Sequence, residues 1–178
     1  MTSINENQPE KNREDLRAQD AVAKIRELVQ KAHNCFFCTT VPAGDVQAAR
    51  PMNVRQVDDA GDLWFLSAAD SHTNEQVARD PTVQLYFQGS PHSDFLHLTG
   101  RATVSTDRGK IQELWEPVLK TWFTGGLDDP RITVIRVTPT GGYYWDTKHG
   151  NVVAGVKMLI GAALGKTLDD SIEGTLKV

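Results

Sequence analysis

Across residues 35–105 the chain offers five short β-type runs and only one short helical stretch, and this order excludes more folds than any other feature of the sequence. The runs are 35–41, aromatic and threonine-rich, then 47–57, 63–67, 83–87 and 95–105, separated by turn chemistry such as AspAspAlaGlyAsp at 58–62. A parallel sheet needs strands and helices in alternation, and a dinucleotide-binding sheet adds a glycine fingerprint at its first turn. Neither pattern occurs here.

Helical spacing flanks this block. Leu16, Val22, Ile25, Leu28, Val29 and Ala32 predict an amphipathic helix ending near His33 and Asn34. Asp107 caps a second helix with Ile111, Leu114, Trp115 and Val118 on one face, which Pro117 kinks or divides. GlyGlyLeuAspAspPro at 125–130 closes that region, with Asp128 and Asp129 read as loop-closing residues, and Trp122 and Phe123 as core or dimer contacts. Residues 132–137 and 143–146 predict two more strands, and the alternating tail 171–178 reads as a strand or a surface-running segment. The expected fold class is mainly β with flanking helices (α+β): an antiparallel barrel with helices packed outside. Residues 1–15 are expected to be a flexible lead-in and 16–178 a single domain, since 178 residues suit one core.

A formal net charge of −4 gives no broad attraction for nucleic acid or for an anionic membrane. The first residues lack the apolar core of a secretory signal. The most apolar run, 152–164, is interrupted by Lys157 and falls short of the ~20 residues that cross a bilayer. It is read as a helix covering a dimer surface, and the protein as cytoplasmic, with no membrane or nucleic-acid partner. Cys35 and Cys38 form a CxxC pair, but in a strand side chains three apart point to opposite faces, so two packing cysteines are expected. The five histidines lack the close pairing of a helical zinc site, and no metal is expected.

The stretch from Arg50 to Asn74 carries the chemistry. Arg50 and Met52 share one face of their strand, Pro51 and Asn53 the other, and Pro51 suggests an edge or a bulge. Ser71 reads as the N-cap of a short helix over 73–79. An arginine, a serine hydroxyl and unpaired helix amides together suit a phosphate. The alternative is that Arg50 pairs on the surface with Asp58, Asp59 or Asp70.

ArgProMet at 50–52, LeuTrpPhe at 63–65, Ser71, AspPro-x-Val-x-Leu at 80–85, GluLeuTrp at 113–115, AspAspPro at 128–130, ValThrPro at 137–139 and TyrTrpAsp at 144–146 follow one another in order. As a set they resemble the general stress protein branch of the pyridoxamine 5′-phosphate oxidase-like FMN-binding proteins. The resemblance implies an FMN-binding split β-barrel and a homodimer with FMN at the subunit interface. It places the flavin ring along Arg50, Pro51, Met52, Asn53 and Val54, with Leu66 and Ser67 on the next strand. It places the phosphate near Ser71, His72, Thr73 and Asn74, and brings Trp145 toward the site from the partner subunit. The family usually carries a lysine, and the true oxidases an arginine-lysine pair, where this chain has His72-Thr73. Weaker FMN binding is expected. With Arg55 alone as a candidate for substrate phosphate, pyridoxamine phosphate oxidation is not expected. The function implied is a flavin-dependent oxidoreductase using NADH or NADPH, with no side chain assigned as acid or base. The alternatives are a non-enzymatic protein that stores or senses FMN, and a lineage holding another cofactor such as a deazaflavin or haem.

Overall fold

The structure, a computed structural model, describes residues 12–40, 48–150 and 170–178. Strand β1 (Leu16–Arg17) leads into helix α1 (Ala18–Ala32), followed by β2 (Asn34–Thr39), β3 (Ala49–Asn53), β4 (Gln56–Val57), β5 (Leu63–Ala68), α2 (His72–Arg79), β6 (Thr82–Gln88) and β7 (Phe95–Ser105). Then come α3 (Arg108–Leu114), two 3-10 turns (Pro117–Thr121 and Gly126–Asp128), β8 (Ile132–Thr147) and β9 (Ser171–Lys177). The strands run in the order β1-β9-β8-β7-β6-β2-β3, and β4 pairs with β5. Strand β5 pairs with β8 over Ile132 to Val137, and β9 pairs with β8 over Gly142 to Thr147, so the two occupy successive stretches of β8. Every neighbour is antiparallel except the short β1–β9 pair. Strands β3 and β5 do not pair, so the barrel stays open between them: it is a split β-barrel.

The core follows the alternation of the strands. Phe37, Phe65, Leu85, Leu98 and Ile135 are fully buried, with Phe37 and Phe65 edge to face at 5.4 Å. Helix α1 closes the cluster with Ala21, Ile25, Leu28 and Val29. Its charged face holds Lys24 and Lys31, which bond Asp146 and Asp94 at 3.2 and 2.6 Å and so tie the helix to β8 and to the start of β7. A second cluster lies beneath α3 and the first 3-10 turn, formed by Ile111, Leu114, Leu119, Phe123, Ile132 and Val134. Cys35 faces the core and Cys38 lies on the outer face, as strand alternation requires, and burial with the nearby Cys38 pushes the Cys35 thiol up to about 12.

The structure departs from several sequence expectations. Leu16 belongs to β1, and the helix starts at Ala18. The run 47–57 is two strands, because at Val54 and Arg55 the chain changes partner: the Val54 amide donates to His33 O and the Arg55 amide to Trp64 O. The two strands expected over 132–146 are one. A register shift beside Thr99 and Gly100 accommodates Pro139, and Gly142 lets β7 approach so closely that a Cβ would lie 2.5 Å from His97 O. Val118 does not continue the buried face of α3, since the helix stops at Leu114 and Pro117 opens a 3-10 turn that leaves Val118 59% exposed. Asn12 to Asp15, within the expected lead-in, lie against β9: the Glu14 amide donates to Glu173 O, and Asn12 is fully buried. The tail is a strand. The apolar run 152–164 lies outside the described residues. No helix among the described residues is long and apolar enough to cross a membrane.

Candidate functional site

The opening between β3 and β5 is a groove of about 690 Å³. Pro51 and Asn53, facing away from the core, form one wall with Leu66 and Ala68 of β5. The opposite wall is the 3-10 segment, with Val118, Leu119, Trp122 and Phe123. Arg55 borders the groove, with Nη2 2.6 Å from Glu116 Oε1 and Nη1 donating to Asn53 Oδ1 at 2.8 Å. Among the described residues β3 pairs only with β2, so its second edge offers backbone donors and acceptors to whatever lies in the groove.

The polar pole sits at α2. Ser71 caps the helix by accepting from the Asn74 amide at 3.2 Å, and its hydroxyl is 2.9 Å from that of Ser67. The His72 and Thr73 amides begin the helix and have no intrahelical acceptor. Arg50 reaches the start of α2, one of the two outcomes the sequence leaves open. Its Nη1 donates to Thr73 Oγ1 at 2.9 Å and its Nη2 to Gln76 Oε1 at 2.5 Å. The Thr39 hydroxyl also donates to Gln76 Oε1, so β2, β3 and α2 meet at one amide oxygen. Partial burial lowers the Arg50 pKa from its usual value, a shift that leaves an arginine charged. Behind β5, Asn74 Nδ2 donates to the Thr133 hydroxyl, which donates to Ser67 O, while Asn74 Oδ1 is buried without a hydrogen-bond partner.

The residues expected from sequence separate into groups. Arg50, Ser67, Ser71, Thr73 and Asn74 converge on the polar pole. Pro51, Asn53 and Leu66 line the groove, and Met52 touches it while packing against the core. Val54 turns its side chain into the core, and His72 points out to solvent, 3.4 Å from Glu75. Trp145 lies elsewhere, on the outer face of the sheet, where it lines a second hollow of about 650 Å³ with Phe36, Tyr86 and His97. The two hollows share Asn34 and Pro51. Pro51, Phe36, Tyr86, His97 and Tyr143 are register partners, strand to strand, and form one row across this face. His97 stacks on Tyr86 at 4.6 Å, and burial lowers its pKa. Sequence reasoning missed Gln76, Thr133 and the wall of Val118 to Phe123. None had a local signal, since Trp122 reads as a core residue and is 65% exposed.

These features fit a flavin. The apolar walls suit a planar ring, the free β3 edge suits the polar rim of that ring, the α2 pole suits a phosphate, and the orphaned Asn74 oxygen suits a hydroxyl donor such as a ribityl chain offers. When bound, a flavin would supply hydride and single-electron transfer that no side chain provides. No cluster of residues able to hold a metal occurs among the described residues.

Comparison with known proteins agrees with this geometry. The chain is similar to a protein of Jannaschia sp. CCS1 assigned as general stress protein 26, with a TM-score of 0.74 and 23% identity over 90% of this chain and 100% of the other. A general stress FMN/FAD binding protein from Xanthomonas citri superposes with a TM-score of 0.59 and 21% identity over 70% and 87% of the two chains. Protein bli-3 of Neurospora crassa is 30% identical over 105 residues, 54% of this chain and 50% of that protein, so the chain spans about half the length of this curated relative. Residues 20–169 match the family described as pyridoxamine 5′-phosphate oxidase like. A split barrel with this groove and a family match across most of its length together show that the chain belongs to the pyridoxamine 5′-phosphate oxidase-like family.

Proposed function

We propose that the protein is a cytoplasmic homodimeric flavoprotein. It binds FMN in the β3–β5 groove with the phosphate at the α2 pole, and passes electrons from NADH or NADPH to an acceptor. The observation that carries the reading is the link between an apolar groove and the capped start of α2: Ser67 lines the groove, its hydroxyl is 2.9 Å from that of the Ser71 cap, and Arg50 bonds Thr73 in the first turn of the same helix. Pro51, Met52, Asn53 and Leu66 would flank the ring, and Ser67, Thr73 and Asn74 would position the pole. The dimer is supported by the aromatic row of the outer face, where Phe36, Tyr86 and Trp145 are 58%, 45% and 43% exposed, an apolar surface of the kind a partner covers. Because the groove and the aromatic hollow meet at Pro51, a second copy on this face would bring its own Trp145 toward the flavin. With Arg50 the one basic side chain bonded at the pole among the described residues, and Arg55 paired with Glu116, nothing supports pyridoxamine phosphate oxidation.

The visible spectrum of the purified protein tests the cofactor: a flavin band supports the reading and a Soret band ends it. Mixing the flavin-loaded protein with NADH or NADPH tests the reaction. Prompt bleaching supports the oxidoreductase, and no bleaching with either nucleotide leaves a protein that stores or senses flavin. Sedimentation of the loaded protein tests the dimer.

A further inference from the structure

We propose that His97 makes the pairing of two copies through the aromatic face depend on pH, neutral His97 permitting the contact and protonated His97 opposing it. The inference rests on the dimer reading above and concerns how that face is regulated. His97 lies within the row, in register with Tyr86 on one side and Tyr143 on the other. Its ring stacks nearly parallel on Tyr86, at 4.6 Å and 14°, and lines the hollow of about 650 Å³ with Phe36, Phe95 and Trp145. Its Nε2 is buried and has no hydrogen-bond partner among the described residues.

The surroundings of the ring disfavour a charge. On β6 the neighbour is Tyr86, whose hydroxyl donates to Gln84 Oε1 at 2.6 Å and is satisfied within its own strand. On β8 it is Tyr143, whose phenol is raised by burial and by the Glu173 carboxylate and so stays neutral well above neutral pH. Strand β2 brings Phe36 to the hollow, and β7 itself brings Phe95. Glu173, Arg13 and Asp15 act on Tyr143, whereas His97 is lowered by burial alone. No carboxylate among the described residues therefore compensates an imidazolium here. An imidazolium on a tyrosine face gains a cation–π contact, but that gain is small beside the cost of taking an unpaired cation out of water. A second copy seated on the row removes the remaining water, so the proton must leave. A two-fold pair buries the same patch on both copies, and hence two His97 rings. The separated copies thus hold the higher His97 pKa and the pair the lower one. Association is complete above the first value and is lost as pH falls through it, with Kd rising by up to about 100-fold per pH unit when two protons are taken up.

Sedimentation equilibrium of the purified protein, run between about pH 8 and about pH 5, reads the dimer Kd for wild type, His97→Phe and His97→Gln. Wild-type Kd should rise by about tenfold or more over that range, most steeply below the ordinary histidine value near 6.5, while both variants stay within about threefold. His97→Phe keeps a ring against Tyr86 without the charge, and His97→Gln carries the test alone if the larger apolar ring prevents folding. A smaller rise in the wild type, or an equal rise in the variants, overturns the proposal. A wild-type chain that stays monomeric even at the alkaline end and at the highest concentration overturns the dimer reading itself and takes this one with it.

Discussion

Two basic groups of this molecule are held in opposite ways. Lys31 on α1 sits among carboxylates, 2.6 Å from Asp94 and 2.9 Å from Glu27, and its charge is cancelled where it stands. Arg50 on β3 is held at α2 by a hydroxyl and an amide oxygen, two neutral acceptors. The first arrangement fastens a helix to a barrel. The second is what an anion site requires: a cation that is oriented in advance. The difference separates a structural ion cluster from a ligand pole, and each prediction below challenges that separation.

The largest effect is expected from Arg50→Leu. Flavin affinity should fall by about 100-fold, the loss of a charge-assisted contact to phosphate, while riboflavin affinity changes far less. Equal losses for FMN and riboflavin would show that Arg50 shapes the groove and does not hold an anion. Asp94→Asn should do the reverse. Its carboxyl is pushed up by burial, but Lys31 and the hydroxyls of Ser90 and Ser93 outweigh that and hold it well below the usual carboxylate range. Removing it should cost about 1–3 kcal/mol of stability, with no change in flavin affinity. A lowered folded-state pKa gives stability that is complete above the unfolded value near pH 4 and is lost as pH falls through the folded one. Thermal melts of wild type and Asp94→Asn should therefore differ most at neutral pH and converge in acid.

Thr73→Val removes the acceptor that orients Arg50 and should cost about 1 kcal/mol in stability and several-fold in FMN affinity, readable by calorimetry. Trp122→Ala is the mildest. Because the side chain is 65% exposed, melting should report a stability change within about 0.5 kcal/mol. Flavin affinity should still drop a few-fold if this wall covers the ring, and an unchanged affinity removes Trp122 from the site.

Much of the molecule is legible in local chemistry. The Ser71 cap, the Asp107 cap and the separation of Cys35 and Cys38 across a strand follow from side-chain type and strand alternation, and the structure shows each. The fusion of the two runs at 132–146 into β8 was not legible, because Pro139 and the glycines after it look like turn punctuation when read alone. Only the facing register of β7 shows that a shift absorbs them. The break at Val54 was equally hidden, since it arises from a change of partner strand and not from a local breaker.

The sequence by itself determined the fold class, the cap at Ser71 and the family resemblance, and narrowed β3 to an edge or a bulge, because periodicity, proline and capping act within a few residues of one another. Only the tertiary structure decided that Arg50 meets Thr73 and Gln76, that the Val54 side chain packs in the core, that Trp145 lines a second hollow, and that Trp122 stands at the rim of the groove. Those outcomes depend on contacts between strands far apart in the chain, and the pattern along one strand carries no record of what another strand brings to meet it.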